Sequence, residues 1–211
     1  MKRIVITLII LVLVSCRTDN PELLDTADHS ATFRLFLKKF KSIELPFVFR
    51  YGNFEDSLDF DKMISVDANA GDTLYVEESD VTEIKCYGIL KDTSKFFSLI
   101  YFYPADSYYP VLVTYDKKGN QIDKVSLIVS GCGGDCGLEY CSETGIINDD
   151  LSIVCADTII WKFSCDSLGE PILDSDSIWV NSKTGRIKDN GKLMMKKEVK
   201  LKYRNSSEGV N

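Results

Sequence analysis

Residues 95–116 read KFFSLIYFYPADSYYPVLVTYD, and the reading of this stretch decides the fold. Phe97, Leu99, Tyr101 and Tyr103 alternate along it with Phe96, Ser98, Ile100 and Phe102. Successive residues of a strand point to opposite sides of its sheet. Both sides are apolar here, which marks a central strand covered twice. YPVLVTYD follows with the β-branched and aromatic content of a second strand. Tyr103, Tyr108 and Tyr109 flank Pro104 and Pro110 where the two runs meet, and form a candidate binding surface for a sugar or peptide.

Outward from this pair the pattern stays strand, turn, strand. TLYVEE and TEIKCYGIL precede it, and Lys117-Lys118-Gly119-Asn120 turns the chain into QIDKVSLIVSG. LSIVCADTIIWKFSC, SIWVNSKTGRI and EVKLKYR follow a cysteine-rich loop, with turn chemistry at Lys183-Thr184-Gly185 and Asp189-Asn190-Gly191. Val199, Leu201 and Tyr203 alternate with Lys200 and Lys202, so the last strand has one wet face. Short turns without intervening helices imply antiparallel pairing.

The helical signal is SATFRLFLKKFKSIELPF. Phe33, Phe36, Leu37 and Phe40 fall at i, i+3, i+4 and i+7, with Arg34, Lys38, Lys39 and Lys41 on the other side. Ser30 or Thr32 can cap the start, and Pro46 prevents continuation. The expected fold is α+β, mainly β: one N-terminal amphipathic helix packed on a curved antiparallel β-meander, with residues 30–205 as a single globular domain and 206–211 as a disordered tail. A basic, aromatic helix near an anchor can instead lie on a membrane surface. The Leu45-Pro46-Phe47 continuation into apolar sequence favours the core.

The start of the chain is of a different kind. Lys2 and Arg3 precede an apolar run from Ile4 to Val14, about 11 residues where a spanning helix needs roughly 20. A cationic start, a short apolar core and a small residue before a break form a secretory signal. Leu13-Val14-Ser15-Cys16 resembles the bacterial lipobox. That resemblance implies removal of residues 1–15, a diacylglyceryl group on Cys16, and a polar tether over residues 16–29. Two acyl chains hold a protein stably, at about 0.8 kcal/mol per buried CH₂. Arg17, in place of the Asp that retains such lipoproteins in the inner membrane, implies the outer membrane. Leader and helix together resemble small lipoproteins of Bacteroidota in which Phe-x-x-Phe and Leu-Pro-Phe precede a meander, and some of these carry charged surface-export signals, which Arg17, Asp19 and Glu22 resemble. The resemblance implies a cell-envelope protein, facing either the periplasm or the cell surface, and brings no activity with it.

The net charge is −7 over 211 residues, and loss of Lys2 and Arg3 makes it more negative. Nucleic-acid binding, which needs basic patches for phosphates, is excluded as a class. The single histidine, His29, lies in the expected tether, so catalytic triads and multi-histidine metal centres have no imidazole to use. No cofactor motif is present, and no pattern fixes an oligomeric state.

Cys86, Cys132, Cys136, Cys141, Cys155 and Cys165 remain after Cys16. An even number in an exported chain points to disulfides, with 15 possible pairings. GCGGDCGLEYC is glycine-rich, so covalent closure substitutes for packing. The metal alternative would use Cys132, Cys136, Cys141 and Cys155 as thiolates, but their spacings lack the paired C-x₂-C of a zinc site. Asp149-Asp150 and Asp166, Glu170, Asp174 and Asp176 read as solvated turns, since Asp174-Ser175-Asp176-Ser177-Ile178 breaks the calcium-loop pattern. The function expected is non-enzymatic: membrane-tethered binding of an envelope protein, a peptide or a glycan. The alternatives are an immunity lipoprotein that neutralises a toxin and a carboxylate-based hydrolase.

Overall fold

A computed structural model describes residues 31–51, 58–76, 83–105, 107–129, 132 and 136–203. The leader, Cys16, His29, Ser30, the tether and the 206–211 tail lie outside the described residues. The fold is mainly β, and its sheets are built from antiparallel pairs with one parallel exception.

The first sheet has the order β1 (Lys41–Ile43), β3 (Lys85–Leu90), β4 (Phe97–Tyr103), β5 (Tyr109–Tyr115), β6 (Gln121–Ser126). β4 pairs β5 over seven residues, from Phe97 opposite Tyr115 to Tyr103 opposite Tyr109. The two faces of β4 separate as its alternation implies. Leu99, Tyr101 and Tyr103 belong to one apolar cluster with Phe33, Phe36, Phe40, Tyr75 and Tyr115. Ile100 and Phe102 belong to another with Phe49, Leu112, Leu127, Ile147, Ile153 and Cys155.

The helix α1 (residues 31–37) covers the first face. Phe33, Phe36 and Phe40 are almost fully buried. The Phe36 ring lies 4.8 Å from that of Tyr75 and 6.4 Å from that of Tyr101. α1 is shorter than its apolar period suggests. Lys38, Lys39 and Phe40 each donate a backbone bond to the residue three before, which tightens the exit. The chain then extends at once into β1. Lys39 pairs with buried Asp72, whose Oδ2 also accepts from the Asp67 amide at 2.6 Å. Beneath the helix, Tyr115 donates to the Tyr75 carbonyl at 2.6 Å. With that proton committed, Tyr101 is the donor in the 2.9 Å bond to Tyr115.

The antiparallel meander expected from sequence is present as β3 to β6, but the strands divide between two sheets, and the second face of β4 meets the other sheet. Its order is β12 (Leu193–Met195), β11 (Ser177–Ile187), β8 (Ser152–Trp161), β7 (Leu138–Ile147), β2 (Phe47–Arg50), with β13 (Val199–Tyr203) also along β11. A short hairpin joins β9 (Ser164–Cys165) and β10 (Pro171–Ile172).

Four local expectations are corrected. β1 runs parallel to β3, Lys41 opposite Gly88, because the chain detours through β2 in the other sheet before β3. Thr73 and Leu74, the start of TLYVEE, belong to a 3₁₀ turn (Asp72–Leu74) and not to a strand. The cysteine-rich stretch, read as a loop, enters the ten-residue strand β7 at Leu138. Lys183-Thr184-Gly185 lies inside β11, where a Cβ on Gly185 would sit 2.5 Å from the Met194 carbonyl and 2.3 Å from Met195 Sδ. Gly185 therefore admits the close approach of β12 and makes no turn.

Candidate functional site

β8 and β11 pair over ten residues, with Ser177 opposite Trp161 and Trp179 opposite Ile159. Odd-numbered residues of both strands face inward, as the burial of Ile153, Cys155 and Ile187 in the inter-sheet cluster shows. That cluster ends at Cys155. Further along, the inward face carries Asp157, Ile159 and Trp161 on β8, and Asn181, Trp179 and Ser177 on β11. Trp161 and Trp179 are diagonal neighbours, about 7–8 Å apart in such a register. Both are partly exposed, and they are the only tryptophans in the chain.

They form one side of a cleft of about 430 Å³, together with buried Ser177 and with Lys202. Lys202 stands opposite Trp179 in the β11–β13 ladder and places its Nζ 4.8 Å from the indole centroid, a cation–π contact that fixes the ring. Cys136, Cys165, Asp166 and Gly169 line the other side. Asp166 Oδ1 accepts from the Leu168 and Glu170 amides at 2.9 and 3.0 Å, which builds the β9–β10 turn.

Covalent bonds hold this wall. Cys132–Cys141 and Cys136–Cys165 are disulfides, with Cα separations of 5.6 and 6.1 Å. The first ties the β6–β7 connection to β7, and the second ties it to the hairpin. Gly137, at φ 83°, completes the approach: a Cβ there would lie 2.0 Å from the Phe163 carbonyl oxygen. The neighbouring row of the sheet is polar and buried, with Glu143 opposite Asp157 and Asp157 opposite Asn181. Asn181 donates to Asp157 Oδ1 from its amide nitrogen at 2.8 Å and its backbone at 3.2 Å.

The sequence-derived candidates fare unevenly. Four of the six cysteines are bonded, while Cys86 and Cys155 are free and buried. They lie in the two clusters on opposite faces of the first sheet, so the sheet itself separates them. The four-thiolate alternative falls for the same reason, since Cys155 sits among Ile147 and Ile153 while the other three sulfurs are bonded. Tyr103, Tyr108 and Tyr109 do not make one surface. Tyr103 is buried in the helix-side cluster with Tyr109 packed against it, and Tyr108 stacks on Phe60 at 4.5 Å on the other side. The tryptophan pair went unread in the sequence. Neither strand alternates apolar with polar residues (Asp157 and Asn181 share the inward side with the tryptophans while Ile178 and Val180 face out), so only the β8–β11 register brings the two rings together.

Burial pushes the Cys86 thiol up to about 12 and the Cys155 thiol to about 11. With thiolate the reactive form, native protein at neutral pH is expected to alkylate at neither residue, and denatured, unreduced protein at both. Any native labelling of Cys86 or Cys155, or a denatured thiol count of zero from these two, would contradict the arrangement. Folded values above the unfolded one mean that the contribution to stability is full below pH 9 and lost between about pH 9 and 12.

A second cleft, about 380 Å³, opens at the seam between the sheets over Ile43, Leu45, Leu90, Phe96 and Leu151. Its rim side chains are tied to one another, Lys91 to Glu44 at 2.8 Å and Lys95 to Asp189 at 3.2 Å. The tryptophan cleft instead presents large amphipathic rings at its surface, so it is the candidate site. Among the described residues no helix is long and apolar enough to cross a membrane. Comparison of this chain with protein-family models, curated proteins and solved structures gives no match.

Proposed function

We propose that this chain is a lipid-anchored binding protein of the bacterial cell envelope, tethered to the outer membrane through Cys16 and holding its ligand in the tryptophan cleft. One observation carries the binding reading: the only two tryptophans are partly exposed on one inward sheet face, under a wall clamped by two disulfides. A wall fixed in advance reduces the ordering cost of binding. The lipobox resemblance and the short apolar leader support the tether, and the disulfides fit an oxidising compartment. Binding without turnover is favoured because, among the described residues, Asp166 is the one carboxylate lining the cleft, whereas carboxylate-based hydrolysis uses a pair.

The test uses envelope extract from the cell that makes the protein, separated into glycan, peptide and protein fractions. One fraction is expected to change tryptophan emission and to be retained by the immobilised protein. Retention should fail when Trp161 and Trp179 are both replaced by Ala. Equal retention by that variant, or no response to any fraction, would remove the cleft as the binding site. The anchor is read separately. Cys16→Ala should abolish acyl labelling and release the chain from membranes, and unchanged membrane association would overturn the tether.

A further inference from the structure

We infer that the ligand of this cleft is a saccharide, with a pyranose ring stacked on Trp161 and its hydroxyls met by Asp166, Ser177 and Lys202. The inference rests on the binding reading above and names its ligand class. An indole face is the negative pole of the ring quadrupole and prefers a partner with outward-pointing, slightly positive hydrogens. One face of a pyranose offers such hydrogens as axial C–H bonds, while its edge carries hydroxyls that both donate and accept. The cleft has the same division. Its two indoles stand on neighbouring strands, Trp179 beneath the Lys202 ammonium and Trp161 beside it.

The edge groups cover both needs of a hydroxyl. Asp166 accepts, Lys202 donates, and Ser177 does either. Two of the three are held in place: Asp166 by the Leu168 and Glu170 amides, and Lys202 by its contact with the Trp179 ring. A wholly apolar ligand fits less well, because it would take these polar groups out of water with nothing to pair them. A cationic ligand fits less well because the Lys202 ammonium already stands over the Trp179 face.

The test titrates the full chain in detergent with chito-, cello-, manno- and galacto-oligosaccharides, and separately with a tryptic digest of envelope proteins. Emission is read directly, since Trp161 and Trp179 are the only tryptophans in the chain, and calorimetry supplies affinities. At least one sugar series is expected to shift the emission. Trp161→Ala should weaken its binding at least tenfold and Trp161→Phe should retain most of it, while Trp179→Ala, which removes the support of Lys202, should weaken it severalfold. Far-ultraviolet circular dichroism and the protected state of Cys86 and Cys155 report whether each variant has folded, and Lys202→Met, on the exposed strand β13, carries the test if the Ala variants have not: its sugar binding should weaken severalfold, and unchanged binding overturns the placement. A response to peptides and to no sugar overturns the saccharide and leaves the cleft a binding site. Silence towards both overturns the saccharide and the binding reading together. Equal sugar binding by folded Ala variants overturns the placement.

Discussion

Phe36→Ala is expected to lower the unfolding free energy by about 3–5 kcal/mol, the range for truncating a buried Phe. Phe36 is 1% exposed and is the centre of an aromatic group, with ring centroids of Phe40 at 5.4 Å, Tyr75 at 4.8 Å and Phe33 at 6.2 Å. α1 spans only residues 31–37, and an isolated helix so short is unstable in water. Packing therefore holds it, and the loss should include part of the helix. The chain without residues 1–16 gives the measurement by urea unfolding. Leu35→Ala on the same helix, where the side chain is exposed, should cost less than about 1 kcal/mol. A Phe36→Ala loss under about 0.5 kcal/mol would return the helix to the membrane surface.

Removing the Cys136–Cys165 bridge by a double Cys→Ser substitution is expected to cost roughly 3–4 kcal/mol in the chain-entropy model. The half-cystines are 29 residues apart, against 9 for Cys132–Cys141. Loop closure constrains the unfolded chain more for the longer loop, so the shorter bridge should cost less by nearly 1 kcal/mol on the same model. The two losses also differ in place. Cys136 and Cys165 both line the cleft, and the β9–β10 hairpin has only a two-residue pairing of its own. Without the bridge, hydrogen exchange should rise first over residues 164–172, with a change in tryptophan emission while the β4–β5 ladder stays protected. Simultaneous loosening of that ladder, or unchanged emission, would show that the bridge does not shape the cleft.

Strand alternation in residues 97–103 is a local property, and it determined from sequence that β4 is covered on both sides and which residues face each cover. The i, i+3, i+7 spacing of Phe33, Phe36 and Phe40 likewise determined which side of α1 and its exit is buried. Both follow from periods that each element carries by itself. What covers the second face did not, because β2 lies in one sheet between two strands of the other in chain order, and pairing partners are a long-range choice. β7 was hidden for a related reason. Its inward positions include Cys141, Glu143 and Gly145, whose burial depends on β8 and β11 alongside and not on their own apolarity. Gly185 looked like a turn because a glycine admitting a neighbouring backbone and a glycine making a bend are the same letter. The cysteine count allowed 15 pairings; the burial of Cys86 and Cys155 in the two apolar clusters and the close approach of Cys132 to Cys141 and of Cys136 to Cys165 select the bonded four. The cleft belongs to this second group. Trp161 and Trp179 are 18 positions apart in the chain, and a β8–β11 register shifted by one residue would turn one of them to the opposite face.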